Sequence, residues 1–167
     1  WPDNQKELET VLQAVRETGT IVVPYGAGSG VCGAATAISN SLVIDLKRMN
    51  HIDAPNQEER TVRVDPGVIG QHLEDFLHEQ GCQLGHSPSS IMCSTVGGYA
   101  ATRSAGQFSS RYGVFDEMML AARIHGLSGA TDHGTWSPSL GQDRLPVISG
   151  SEGALGIISS VLLRTHP

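Results

Sequence analysis

Between Pro24 and Gly33 the chain reads Pro24-Tyr25-Gly26-Ala27-Gly28-Ser29-Gly30-Val31-Cys32-Gly33, directly after the apolar run Ile21-Val22-Val23. Small residues at the end of a strand leave backbone N–H groups bare, so a pyrophosphate can approach without meeting a Cβ. The chemistry this offers is the binding of a nucleotide cofactor, with an ordinary Gly-rich surface turn as the plain alternative. Gly28-x-Gly30-x-x-Gly33 also spells the dinucleotide string GxGxxG, and Asp45 stands downstream where a ribose-binding acid would sit. That fold needs a helix of several turns between its last glycine and the next strand. Here only Ala34 to Ser41 separate Gly33 from Leu42, and Ser39-Asn40-Ser41 is turn chemistry. The loop also follows a helix, and Pro24 stiffens its entry. These features reject the Rossmann reading.

Two further Gly-rich segments follow. One is Pro88-Ser89-Ser90-Ile91-Met92-Cys93-Ser94-Thr95-Val96-Gly97-Gly98-Tyr99-Ala100-Ala101-Thr102-Arg103-Ser104-Ala105-Gly106; the other is Gly150-Ser151-Glu152-Gly153-Ala154-Leu155-Gly156-Ile157-Ile158. In this order the three segments resemble the cofactor-contact segments of the FAD-linked oxidases, the family of vanillyl-alcohol oxidase and p-cresol methylhydroxylase. The string from Ser94 to Gly106, followed by Tyr112-Gly113, is most similar to the branch of that family that serves ether-lipid synthesis.

The resemblance implies an α+β fold: a small α/β lobe, a larger lobe with an antiparallel sheet, and FAD lying between them. It implies that Tyr25 to Gly30 hold the pyrophosphate, although the family usually has Gly where this chain has Ala27, and Ser or Asn where it has Gly30. Pro88, Ser89, Ser90, Ser94 and Thr95 would line the ribityl chain and the isoalloxazine edge, with Gly97, Gly98, Thr102, Ser104 and Ala105 in the same segment. Arg103 would lie near the flavin, where a cation stabilises the reduced anionic ring; the alternative is a salt bridge to an acid. Glu152, Gly153, Leu155, Gly156, Ile157 and Ile158 would wall the adenine end, the alternative being a turn before a core strand. Asp116 and Glu117 read as a solvated turn pair. The family draws its catalytic side chains from a substrate or cap domain lying outside this chain, so no catalytic residue is assigned. On that reading the 167 residues bind FAD weakly on their own.

The flavin is expected to be held without a covalent bond, because relatives that attach FAD through the first loop use a histidine there. Cys93 resembles the attachment cysteine of bicovalent relatives, with a buried packing thiol as the alternative. Three functions follow: a flavin-dependent oxidoreductase acting on an alcohol or 2-hydroxy acid, an ether-lipid transferase, or a non-catalytic flavin module. The expected partners are a small-molecule substrate and a second copy of the protein bound through regions outside this chain. The expected compartment is the cytoplasm, or the peroxisome for the ether-lipid branch.

Composition agrees with a folded domain. Hydrophobic residues make up 39% and charged residues 17%, which excludes the disordered and membrane classes. A net charge of -6 leaves no basic footprint for nucleic acid, and no apolar run is long enough to span a bilayer. Cys32, Cys82 and Cys93 form no CxxC pair and read as free thiols in a reducing compartment. His72 and His78 are six residues apart on a helix, so they face different ways and read as surface residues rather than metal ligands. Neither Ser29 nor Ser151 sits in a GxSxG elbow.

The elements that must position these segments are legible in part. Leu8, Val11, Leu12 and Val15 recur at helical spacing, with Asn4 and Glu7 as a capping box and Gly19 as the stop. Strands are predicted at Ile21–Val23 and Leu42–Leu46, paired in parallel. The polar stretch from Asp53 to Glu59 places a boundary between subdomains 1–52 and 53–167. Beyond it come a strand at Thr61–Val64 and a helix carrying Ile69, Leu73, Phe76 and Leu77, closed by Gly81. Strands are also predicted at Met118–Ile124 and Ile157–Leu163, with a hairpin turn at Gly126-Leu127-Ser128-Gly129.

Overall fold

Asn4 starts the first helix, α1 (Gln5–Thr18), by accepting from the Glu7 N–H at 3.0 Å. Glu7 reaches back to the Asp3 N–H at 2.9 Å instead of to Asn4, so the expected box closes one residue early. Gly19, at φ 64, stops the helix. The computed structural model describes residues 1–135 and 145–167. In it Leu8 and Leu12 of α1 bury against Ile44, Leu46, Met49 and Ile157.

Strands β1 (Ile21–Tyr25) and β2 (Ser41–Asp45) pair in parallel as expected, with Ile21 opposite Ser41 and Tyr25 opposite Asp45. The connection between them, residues 26–40, contains no helix, which removes the dinucleotide fold on structural grounds. Asp45 accepts from the Lys47 N–H at 3.0 Å and lies 3.1 Å from Lys47 Nζ, so its carboxylate is already engaged.

The polar stretch after β2 folds back on itself. Asn56 Oδ1 accepts from the N–H groups of Glu58 and Glu59, each at 3.0 Å, an Asx turn that returns the chain to β3 (Thr61–Val64). Helix α2 (Gly70–Glu79) buries Leu73 and Leu77 and leaves His72 and His78 exposed. Helix α3 (Val96–Thr102) follows, then two single turns, α4 (Ser109–Tyr112) and α5 (Phe115–Met118). After them come β4 (Met119–Gly126), β5 (Gly129–Gly134), the turn α6 (Leu145–Ile148) and β6 (Ile157–Arg164).

The four later strands form an antiparallel sheet in the order β3-β6-β4-β5, and the hairpin turns at Leu127-Ser128 as expected. β5 itself, Gly-Ala-Thr-Asp-His-Gly, has no apolar alternation to announce it. A bidentate pair from Arg123 to Asp132, both contacts at 2.8 Å, ties it to β4. Met118 closes α5 rather than opening β4, since Phe115 and Met118 are both needed in the main core over α2 and α3.

No helix among the described residues is long and apolar enough to cross a membrane. The three cysteines are free. Cys93 is exposed, which corrects the expectation of a buried packing thiol. Successive turns, Ile91 N–H to Pro88 O at 3.0 Å and Cys93 N–H to Ser90 O at 2.9 Å, leave Met92 and Cys93 outside the core.

Candidate functional site

β1 runs into the glycine loop at the carboxyl end of the parallel pair, the place where open α/β sheets take ligands. Gly28 there has φ 69, and a Cβ on it would strike the Tyr25 hydroxyl and sit 2.8 Å from Tyr25 Cζ. Lys47 Nζ lies over the Tyr25 ring, 5.2 Å from its centroid. A Cβ on Gly26 would strike Thr95 Oγ1. The glycines are therefore a steric requirement of how the loop packs, not spare flexibility.

The second segment is held against the first. Ser29 Oγ lies 2.8 Å from Ser94 Oγ. Thr95 caps α3 by accepting from the Gly98 N–H at 3.3 Å, while the Gly97 N–H donates to Pro66 O at 2.8 Å. A Cβ on Gly97 would meet Pro66 Cβ at 2.6 Å, so α3 can approach the turn after β3 only because glycine stands there. The third segment caps the other end of α3. Ser149 Oγ donates to Ala100 O at 3.1 Å, and the Glu152 N–H donates to Ala101 O at 2.9 Å. Gly153, at φ 88, closes the ring: a Cβ on it would lie 2.9 Å from Pro24 Cγ in the first segment. Arg103 and Glu152 both hold φ 51, a left-handed conformation costly for non-glycine residues.

These mutual contacts enclose a cleft of about 350 Å³. Pro24, Tyr25, Gly26, Ala27, Gly28, Ser29 and Gly30 all line it, as do Ser90, Ser94, Thr95, Gly97, Gly98, Thr102, Ser104, Glu152, Gly153, Gly156 and Ile158. Sequence reasoning missed Val31, Cys32, Ala34, Ala35, Leu46, Pro66, Tyr99 and Ala101. Most of these are apolar and bear no motif signal. Val31 and Cys32, however, lie inside the first quoted string, and Tyr99 and Ala101 lie inside the second and face the cleft once that segment is recognised as helical.

Six expected residues lie off the cleft. Ile157 is buried against α1, Leu155 is 54% exposed, and Ser89 and Ala105 are on the surface. Pro88 is buried behind Gly106, whose Cβ would come 2.9 Å from Pro88 N. Arg103 is engaged elsewhere, its Nε and Nη2 donating to Asp116 Oδ2 at 3.0 and 2.6 Å. The salt-bridge alternative is thus what the structure contains. Asp116 in turn is not a solvated turn residue, because its Oδ1 is buried without a partner. Glu117 is exposed and caps α5 by accepting from the Val114 N–H at 3.0 Å. Among the described residues that line the cleft there is no Lys, Arg or His, and Glu152 is the one carboxylate.

Behind the lining sits an aromatic group. His86 is 2% exposed, with its ring centroid 4.7 Å from that of Tyr99 and 5.0 Å from that of Phe115. Its Nε2 lies 3.1 Å from Ser104 Oγ, and Nδ1 is buried without a partner. Burial pushes its pKa down to about 4. A histidine lowered from 6.5 to about 4 favours the folded state fully above pH 6.5, and that contribution fades as pH falls towards 4. The amount at stake is of order 3 kcal/mol. The unfolding free energy of the wild type relative to His86→Gln should therefore be largest above pH 6.5 and shrink by up to that amount on acidification. A difference independent of pH would show that His86 is not held neutral.

Residues 1–131 match the family model described as an FAD binding domain. The chain belongs to the FAD-linked oxidase family. It is 34% identical over 99% of its length to alkyldihydroxyacetonephosphate synthase of Dictyostelium discoideum, covering 28% of that protein. It is 29% identical to the glycolate oxidase subunit GlcD of Bacillus subtilis, over 99% of this chain and 36% of the relative. A solved structure of an alkyldihydroxyacetonephosphate synthase superposes with TM-score 0.92 at 34% identity, over 99% of this chain and 30% of that one. The chain thus spans about a third of the length of the relatives it matches.

FAD is the cofactor of this family, and the cleft fits it. At Gly26 and Gly28 a Cβ would collide with Thr95 and Tyr25, so the loop keeps bare backbone at the cleft, the kind of surface a phosphate can approach. Hydroxyls of Ser29, Ser90, Ser94 and Ser104 stand in the lining as donors.

Proposed function

We propose that this chain is the flavin-holding domain of a FAD-linked oxidoreductase that takes a hydride from an alcohol or 2-hydroxy acid and passes the electrons to a separate acceptor. The observation that carries the reading is the cleft itself, closed by three segments that each touch the other two and lined, among the described residues, by neutral groups with a single carboxylate. Such a lining binds and orients a dinucleotide but offers no acid–base pair, so the bound flavin supplies the redox chemistry. In this assignment Tyr25 to Gly30 hold the pyrophosphate through backbone N–H groups, Ser90, Ser94, Thr95 and Ser104 meet the flavin half, and Glu152 to Gly156 border the adenine half. Subdomains 1–52 and 53–167 then correspond to the parallel pair and the antiparallel sheet. The three free thiols suit the cytoplasm.

A second reading has its own support. The run Ser94-Thr95-Val96-Gly97-Gly98 through Gly106 and Tyr112-Gly113, together with the likeness to the synthases, favours an ether-lipid transferase working without net redox change, in which case the peroxisome is the compartment. The two readings separate in one set of measurements. FAD, and not NAD, should raise the melting temperature of the apo-protein, and acid precipitation should leave the flavin in the supernatant. A coloured pellet that turns colourless in Cys32→Ala or Cys93→Ala would overturn the non-covalent attachment. Anaerobic bleaching of the flavin by one of a panel of 2-hydroxy acids supports the oxidoreductase. A flavin untouched by all of them, with turnover of an acyl-dihydroxyacetone phosphate and a fatty alcohol, supports the transferase.

A further inference from the structure

Tyr99 is 3% exposed, and its hydroxyl is buried without a hydrogen-bond partner. It lies beneath Gly70, where a Cβ would strike the hydroxyl, and its ring packs on His86 and Phe115. Burial pushes its pKa up to about 12, with the nearby Ser94 hydroxyl acting in the opposite direction, so the phenol is a donor at every working pH. Of the other polar groups around it, the Gly70 N–H donates to Ser94 O at 3.0 Å and His86 Nε2 is 3.1 Å from Ser104 Oγ, while His86 Nδ1 is buried without a partner. The Ser94 hydroxyl is the neighbour whose hydrogen bonding acts on the phenol, and it lines the cleft.

Ser94 is 3% exposed and lines the cleft, with its Oγ 2.8 Å from that of Ser29. Taken alone, two hydroxyls facing each other leave the direction of their hydrogen bond open, because either can donate. A phenol behind one of them removes that freedom. If Ser94 accepts from Tyr99, its own proton can only go forward, and Ser29 in turn can donate outward. Direction matters in a cleft whose described lining contains no Lys, Arg or His. A phosphate or ribityl oxygen can be met there only by N–H and O–H groups with their hydrogens turned towards it.

We infer that Tyr99 is a positioning residue: it donates to Ser94 Oγ, so that Ser94 donates to Ser29 and Ser29 turns its proton onto an oxygen of the bound flavin dinucleotide. The inference rests on the reading of this cleft as the FAD site. It gives a role to a buried residue of the second segment, and it explains why a hydroxyl with no partner stands behind the two serines that join the first and second segments.

The test is a double-mutant cycle read by two observables, FAD affinity from quenching of flavin fluorescence and the thermal unfolding midpoint of the apo-protein. Without FAD, Tyr99→Phe should unfold at the wild-type temperature or above, since it removes a buried hydroxyl lacking a partner. With FAD it should bind about three- to tenfold more weakly, the worth of one neutral hydrogen bond. Ser94→Ala should lose at least as much, and the double variant should be no weaker than Ser94→Ala. Three results overturn the inference: wild-type affinity in Tyr99→Phe, multiplying losses in the double variant, or a lowered midpoint of apo Tyr99→Phe, which would mean that the phenol already holds a stabilising hydrogen bond without FAD. Absence of FAD binding by the wild type is a different result and removes the cofactor reading itself.

Discussion

Gly28→Val is expected to yield a folded, colourless protein. Two separate costs meet at this position. The backbone sits at φ 69, where a β-branched residue is strained by about 1–2 kcal/mol. The new Cβ would also occupy the place of the Tyr25 hydroxyl, 2.8 Å from Cζ, so the ring that underlies the loop must leave. Displacing it breaks the surface on which the loop rests and detaches Lys47 from its seat over that ring. Neither cost falls on the core, because Gly28 is exposed. FAD affinity should drop by at least about a hundredfold, the equivalent of some 2.7 kcal/mol, with an unfolding midpoint close to that of the wild type. Gly30→Ala is the matched control in the same loop, since a Cβ there meets nothing within 4 Å and the φ is ordinary. A yellow Gly28→Val protein, or equal losses in the two variants, would remove the loop from the phosphate site.

The contrast between those two glycines marks where sequence reasoning stops. The string shows that the loop is rich in glycine, but only the packing of Tyr25 and Thr95 shows which glycines are irreplaceable. The elements with a clear period were legible: α1 with its Asn4 cap, the parallel β1 and β2, β3, and the apolar run of β6. Of the elements longer than a single turn, two were not. β5 has no apolar face of its own and exists because Arg123 and the β4 backbone hold it. α3 carries Gly97 and Gly98, poor helix formers, of which Gly97 allows close approach to Pro66, so local propensity pointed away from the structure that packing imposes. Arg103 shows the same limit for charge. A lone arginine in a cofactor segment reads as a ligand contact until the fold brings Asp116, thirteen positions later, against it. Contacts of that kind are set by tertiary geometry and leave no trace in spacing.

The largest stability effect is expected at a residue with no motif at all. Glu74 on α2 is 7% exposed, a carboxylate inside the core of the larger sheet's helical layer. It is solvated by backbone alone: Oε2 accepts from the Leu84 N–H at 3.1 Å, and Oε1 accepts from the N–H groups of Gly85 and His86 at 2.8 and 3.1 Å. Three successive donors can face one carboxylate because Gly85 takes φ 78, and the same turn lets Tyr112 pack where a Cβ on Gly85 would be. Glu74→Ala removes both acceptor oxygens while the three donors stay buried. At about 1–3 kcal/mol for each stranded group, less what relaxation and entering water recover, the loss should be about 3–5 kcal/mol, a large share of the stability of a domain this size. Glu74→Gln keeps an acceptor oxygen and should lose less. The consequence reaches the cleft, because the held turn ends at His86, which packs on Tyr99 and meets Ser104. Urea unfolding of the two variants measures the effect directly. A loss below about 1 kcal/mol in Glu74→Ala would mean that water or another side chain replaces the carboxylate, and that the segment from Leu84 to His86 does not depend on it.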